Sequence, residues 1–216
     1  MKKSNGELVG ELKTRGVLYA APIIEAFLSV DRKDFVRDEY KDLAYIDEAL
    51  PIGAGQTISQ PYTVAFMLEL LSPKLGWKII DAGAGSFWQT ALLASIVGSP
   101  AGGGKVYAFE RISELCDFGS KNISKYPELK KRIEILCKDA SGGLSEEEIK
   151  KTGGVDGIIA AAELNEVPET WREQLKNGGR LVYPMGGAIF NERKISENKF
   201  QIEKYPGFAF VPFISE

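Results

Sequence analysis

The chain contains no histidine and only two cysteines, and those shortages close off whole classes of chemistry. A zinc centre built on Cys and His ligands cannot be assembled from two thiols, and Ser-His-Asp or Cys-His nucleophile systems lack their base. Any reaction here must use a nucleophile that is already reactive at neutral pH, or leave activation to a cofactor. Cys116 and Cys137 fall on a predicted helix and a predicted strand, which suits buried free thiols better than a secreted disulfide framework. Long apolar runs are missing as well: Met1-Lys2-Lys3 leads into polar Ser4-Asn5-Gly6-Glu7, and no later stretch reaches the length that spans a bilayer. Nor does one sign of charge dominate. The 27 Lys and Arg are dispersed among 30 Asp and Glu for a net charge of -3, so no basic stripe awaits a nucleic acid. A soluble, cytoplasmic monomer with neither nucleic acid nor membrane as partner is the expectation.

What is present fits one globular domain: 216 residues, 44% hydrophobic and 26% charged, are enough to bury a full core. Apolar residues at helical spacing in Pro22–Leu28 and Lys33–Val36 predict an N-terminal helical cap over residues 1–50. From residue 51 to 216, strand-like runs alternate with helix-like segments. The strands are Lys78–Ala82, Lys105–Glu110, Arg132–Cys137 and Val155–Ala161; the helices are Trp88–Val97, Ile112–Tyr126, Ser145–Lys151 and Pro168–Lys176. This alternation predicts an α/β fold with a mostly parallel sheet. A fifth strand, Arg180–Met185, is followed by Ala188–Lys194, Lys199–Tyr205 and Phe208–Phe213 with no helix between them, which predicts an antiparallel C-terminal edge. Residues 98–104, rich in glycine, read as a surface loop inside the domain.

The segment Pro51–Pro61, PIGAGQTISQP, carries the most information. Gly53 and Gly55 permit backbone conformations closed to other residues, and Pro61 suits the first turn of a helix running to Leu71. Thr57, Ser59 and Gln60 are thereby presented near a helix N-terminus, a set of neutral hydrogen-bonding groups suited to a carboxylate, although an ordinary capped turn has the same composition. In open α/β sheets ligands bind beyond the carboxyl ends of the strands. Those ends carry Asp81-Ala82-Gly83-Ala84-Gly85-Ser86, then Glu110, then Asp139. The glycines admit a ligand close to the backbone, Glu110 is placed for a ribose diol, and Asp139 for an amino group of a base. A dinucleotide fingerprint would need glycine where Trp88 stands, and no Walker loop fits Gly104-Lys105-Val106. Trp77, Trp88 and Trp171 read as packing residues.

These residues resemble the protein-L-isoaspartate (D-aspartate) O-methyltransferases. The resemblance runs through Pro51–Leu71, the loop DAGAGS, Glu110, KDASGG at 138–143 and EQLKNGGRLVYPMG at 173–186, and reaches Phe210-Val211-Pro212 near the end of the chain. It implies a Rossmann-like, class I methyltransferase sheet with S-adenosyl-L-methionine as methyl donor. The donor would be held by Asp81, Gly83, Ala84, Gly85, Ser86, Glu110, Arg111, Asp139 and Ala140. Ser59 matches the family's active-site hydroxyl, with Thr57, Ile58 and Gln60 beside the acceptor. That acceptor would be the side-chain carboxylate of an isoaspartyl residue in a damaged protein or peptide, whose methyl ester later collapses to a succinimide. A carboxylate with a pKa of about 4 is ionised at pH 7 and attacks without a base, so a chain lacking histidine suffices. Alternative readings are methyl transfer to another small carboxylate or hydroxyl, and a non-catalytic relative. They draw on three departures from the family pattern: Phe87 where glycine is usual, Glu163 in place of a small residue, and a shortened loop Gly186-Gly187-Ala188. Phe87 would crowd the donor's reactive end, and Glu163 would repel an acidic acceptor if it faced the site.

Overall fold

Ser4 opens the first helix by accepting a hydrogen bond from the Glu7 amide, and α1 (Asn5–Thr14) and α2 (Ala21–Ser29) follow. The computed structural model describes residues 4–98 and 103–214. Two 3-10 helices, Arg32–Phe35 and Asp38–Leu43, lead into a two-stranded hairpin of β1 (Leu50–Gly53) and β2 (Gln56–Ile58). Sequence had read this segment as a turn only; the structure adds short strands on either side of it. Pro61 then starts α3 (Pro61–Leu71).

The α/β core runs β3 (Lys78–Ala82), α4 (Trp88–Val97), β4 (Lys105–Phe109), α5 (Ser113–Ile123), α6 (Pro127–Lys130), β5 (Ile133–Leu136), α7 (Glu146–Thr152), β6 (Val155–Ala160), α8 (Glu169–Gln174), β7 (Leu175–Met185), β8 (Ala188–Ser196) and β9 (Lys199–Pro206). The seven strands lie in the order β5-β4-β3-β6-β7-β8-β9, parallel through β7 and antiparallel at β8 and β9, as the strand pattern predicts. The two-residue period of the strands sorts their side chains onto two faces. Ile79, Val106, Ile159 and Val182 join a core with α1 to α5, whereas Ile80, Tyr107, Ile158 and Leu181 pack on the other face with Trp171. Leu8, Leu12 and Phe27 of the first two helices belong to the former core and are buried in it, so the cap shares its apolar interior with the sheet.

Three expectations need correction. Phe208–Phe213 adds no antiparallel strand: Gly207 turns the chain back at φ 97°, and the segment meets Glu163 in a single parallel bridge through Pro212. Proline offers no amide to extend such a ladder. The cysteines are not free thiols, because α5 and β5 bring Cys116 and Cys137 to a Cα separation of 5.9 Å and their sulfurs are bonded. Asn177-Gly178-Gly179 does not precede the fifth strand but forms an irregularity within it, with Gly178 at φ 83° and a register shift against β6. Of the glycine-rich loop at 98–104, residues 99–102 lie outside the described residues.

Candidate active site

The chain leaves β3 for β4 and β5 on one side and returns through β6 on the other, so a crevice opens where the order reverses. Four strand ends meet there. Gly83 and Gly85 follow β3 at φ 78° and 54°, and the Gly83 and Ala84 amides both donate to the Phe109 carbonyl at 2.9 Å, drawing the loop onto the end of β4. A Cβ on Gly85 would stand 3.1 Å from Ile52 Cδ1. Side chains larger than hydrogen would therefore fill space between the loop and the β1–β2 hairpin.

Glu110 is buried at the end of β4, its Oε2 accepting from the Gly85 amide and its Oε1 from the Ile112 amide, both at 2.8 Å. A carboxylate has about four lone-pair directions, so two remain for a ligand diol. Asp139 lies past β5, where its Oδ1 accepts from the Ser141 amide and hydroxyl. Between them a cavity of about 780 Å³, part of it open to solvent, is lined by Gly83 to Ser86, Glu110, Arg111, Asp139 and Ala140 at one end and by Thr57, Ile58 and Ser59 at the other. The two regions that sequence assigned to donor and acceptor are thus faces of one space. Ser59 Oγ makes no hydrogen bond among the described residues, and neither do the Ser59 and Gln60 amides.

Two of the sequence-assigned residues do not line this cavity. Gln60 donates from Nε2 to Asp47 and accepts from Thr63, bordering instead an adjoining depression shared with Thr57, Ser59, Ala161 and Val211. Asp81 is fully buried beneath the glycine loop, accepting from Gln89 Nε2 at 2.8 Å and Thr90 Oγ1 at 2.6 Å. Its place follows from the strand period, which turns residue 81 toward α4.

Burial pushes the Asp81 carboxyl up to about 6, against the bonds from Thr90 and Gln89 and with the Glu110 charge adding to the rise. An acid raised in the folded state keeps its proton after the unfolded chain has lost it, so folding stability falls as pH climbs from about 4 to about 6. The loss is about 3 kcal/mol at most. Asp81→Asn is expected to flatten the melting temperature between pH 4.5 and 7, as read by scanning calorimetry; an undiminished slope would contradict this source.

The departures from the family pattern turn away from the cavity. Phe87 is buried at φ 68° with its ring against Gly119 of α5. Glu163 accepts the Gly187 amide at 2.9 Å and so ties down the shortened loop, and its carboxylate does not line the cavity. Sequence reasoning missed Val211 to Ile214 as cavity wall, having read the first three of them as strand, and assigned Trp88 to packing alone. Trp88 does pack edge-on against Phe27 with centroids 5.4 Å apart, and it also lines the cavity. Among the described residues no group of His, Cys, Asp or Glu is placed to hold a metal, and no helix is long and apolar enough to cross a membrane.

Residues 3–216 match the family described as protein-L-isoaspartate(D-aspartate) O-methyltransferase. A protein-L-isoaspartate O-methyltransferase of Methanopyrus kandleri is 37% identical over 219 residues, covering 100% of this chain and 93% of the relative. Its counterpart in Dictyoglomus turgidum is 40% identical over 224 residues, with the same coverage of 100% and 93%. Among solved structures, a Plasmodium falciparum beta-aspartate methyltransferase in complex with S-adenosyl-L-homocysteine superposes with a TM-score of 0.87 at 27% identity, covering 99% of both chains. Glycine loop, strand-end acids and hydroxyl therefore stand in a chain matched almost end to end, and this chain belongs to the protein-L-isoaspartate (D-aspartate) O-methyltransferase family.

Proposed function

We propose that the chain transfers a methyl group from S-adenosylmethionine to the side-chain carboxylate of isoaspartyl residues in damaged proteins and peptides, with Ser59 orienting the acceptor. The observation that carries this reading is the single cavity reaching from the glycine loop and Glu110 to the Ser59 hydroxyl. When bound, S-adenosylmethionine supplies an electrophilic methyl group on a sulfonium sulfur. Glu110 holds the ribose hydroxyls on its two remaining acceptor directions, Gly83 to Ser86 pass their backbone along the methionine portion, and Asp139 with Ala140 borders the adenine.

At the acceptor end the Ser59 hydroxyl and the adjacent amides donate to one carboxylate oxygen and leave the other free to attack. Neutral donors suit this task, because a lysine or arginine in direct contact would blunt the nucleophile. Thr57 and Ile58 form the neighbouring wall. The adjoining depression between Asp47, Gln60 and Phe210 receives the peptide flanking the damaged residue. The common apolar interior of cap and sheet supports treating residues 1–216 as one working unit, which we place in the cytoplasm as a monomer.

Incubation with labelled S-adenosylmethionine and an isoaspartyl peptide tests the reading; labelled ester no higher than with an aspartyl control rejects it. Ser59→Ala is expected to lower kcat by about tenfold or more, the scale of a hydrogen bond to a charged group, while the cofactor Kd stays within about twofold. Equal losses in both quantities would remove Ser59 from the acceptor side.

A further inference from the structure

Arg32 opens the first 3-10 helix and is fully buried, yet among the described residues no carboxylate lies within ion-pair distance of it. Its Nη1 donates to the carbonyls of Ala44 at 2.8 Å and Ile46 at 3.3 Å, and its Nη2 to those of Glu48 at 2.8 Å and Ser59 at 3.2 Å. Its Cζ stands 5.3 Å from the Trp88 ring centroid. One guanidinium thus grips the segment 44–48 that borders the acceptor depression, the peptide carrying the acceptor hydroxyl, and a wall of the cavity.

We propose that Arg32 is a positioning residue that supplies the positive field beneath the acceptor carboxylate, acting through the Ser59 carbonyl. This rests on the acceptor assigned above. A purely mechanical tie among four carbonyls needs donors but no charge, and taking a charge out of water without a counter-ion is costly. Four carbonyls and the Trp88 face offset only part of that cost, and no ion pair completes it: the acid that bears on Arg32 is Asp47, whose carboxylate is already committed to Gln60, to the Tyr62 amide and to Arg15. Arg32 Nε has no partner among the described residues. Burial pulls the guanidinium down to about 9, so it stays charged at neutral pH.

The cavity explains why such a charge is kept. Its lining cations, Arg111 and Lys138, flank Glu110 and Asp139 at the donor end, and the Ser59 end has none. A buried cation one peptide away attracts the acceptor anion without pairing with its attacking oxygen. Because the guanidinium donates to the Ser59 carbonyl, it also polarises the peptide joining Ser59 to Gln60 and strengthens the Gln60 amide as a donor. That amide has no acceptor among the described residues.

The test compares an isoaspartyl peptide with its neutral isoasparaginyl analogue by calorimetry in the presence of S-adenosylhomocysteine. The wild-type protein is expected to prefer the carboxylate, and Arg32→Met to cut that preference about tenfold while S-adenosylhomocysteine affinity holds within about twofold. Arg32→Lys keeps the charge and is expected to retain the preference within about threefold, with a lower melting temperature from the lost fork. An unchanged preference in Arg32→Met, an equal loss of both peptides, or no preference in the wild type overturns the proposal. Should Arg32→Met not fold, Arg32→Lys decides: a lost preference there refutes the role of charge. Wild-type turnover of the isoaspartyl peptide is measured alongside. Discrimination without turnover would reject the acceptor assignment while upholding the field from Arg32.

Discussion

Replacing Glu110 by alanine is expected to weaken S-adenosylmethionine and S-adenosylhomocysteine binding about 100-fold, or about 3 kcal/mol, the scale of losing two charge-assisted hydrogen bonds. The carboxylate already accepts from Gly85 and Ile112, so its removal orphans two backbone donors and loosens the glycine loop at Gly85, while Gly83 and Ala84 stay tied to the Phe109 carbonyl. The ribose loses its partner in the same step. Glu110→Gln separates the two contributions: one oxygen still accepts, while the new amide opposes a backbone N–H, and an intermediate loss of about tenfold is expected. Calorimetry with S-adenosylhomocysteine reads both variants. An unaltered Kd in Glu110→Ala would show that this acid only joins two loops and that the ribose is held elsewhere. Because Glu110 lies at the donor end, kcat at saturating cofactor is expected to fall much less than cofactor affinity.

How much of this was legible in the residues depended on how local the cause was. The spans Lys78–Ala82 and Trp88–Val97 are read correctly to the residue, because both are largely apolar, almost wholly buried, and each stops at a glycine, Gly83 or Gly98. Glu110 and Asp139 were legible as strand ends for the same reason. The cysteines were not, because bonding between them depends on where α5 and β5 lie, and sequence spacing carries no such distance. Phe208–Phe213 has the composition of a strand, and only the turn at Gly207 and the amide-free Pro212 divert it to the cavity wall. Asp81 was assigned to the cofactor by its motif, although the alternation along β3 points it at Gln89 and Thr90 of the following helix. That signal was present: two side-chain donors stand eight and nine residues after a buried acid. Arg32 offered no comparable signal, because its four partners are main-chain carbonyls whose approach no residue type announces.

The second large effect concerns the bulky residue where the family usually has glycine. Phe87 occupies a left-handed conformation at φ 68°, which costs a side chain about 1–2 kcal/mol, and its ring is fully buried, which contributes about 1.5–3 kcal/mol. The burial is made possible by Gly119, since a Cβ there would lie 2.4 Å from Phe87 Cδ1 and 2.6 Å from Cγ. Glycine to alanine inside a helix such as α5 ordinarily gains about 1 kcal/mol. Here the sign is expected to reverse: Gly119→Ala should cost about 3 kcal/mol through overpacking and lower the melting temperature by about 6–12 °C. Phe87→Gly loses packing but sheds backbone strain, and combining it with Gly119→Ala removes the clash, so the double variant should be more stable than the sum of the two losses by about 2 kcal/mol. Additive losses would mean that the ring and the helix do not meet. The same cycle bears on function, because Leu115 of α5 and the preceding Ile112 line the cofactor cavity. Pushing α5 outward in Gly119→Ala should weaken S-adenosylhomocysteine binding, and restoring the fit in the double variant should recover it. The substitution at position 87 is thereby accommodated by a glycine on the neighbouring helix, with its bulk directed into the core and away from the methyl-transfer site.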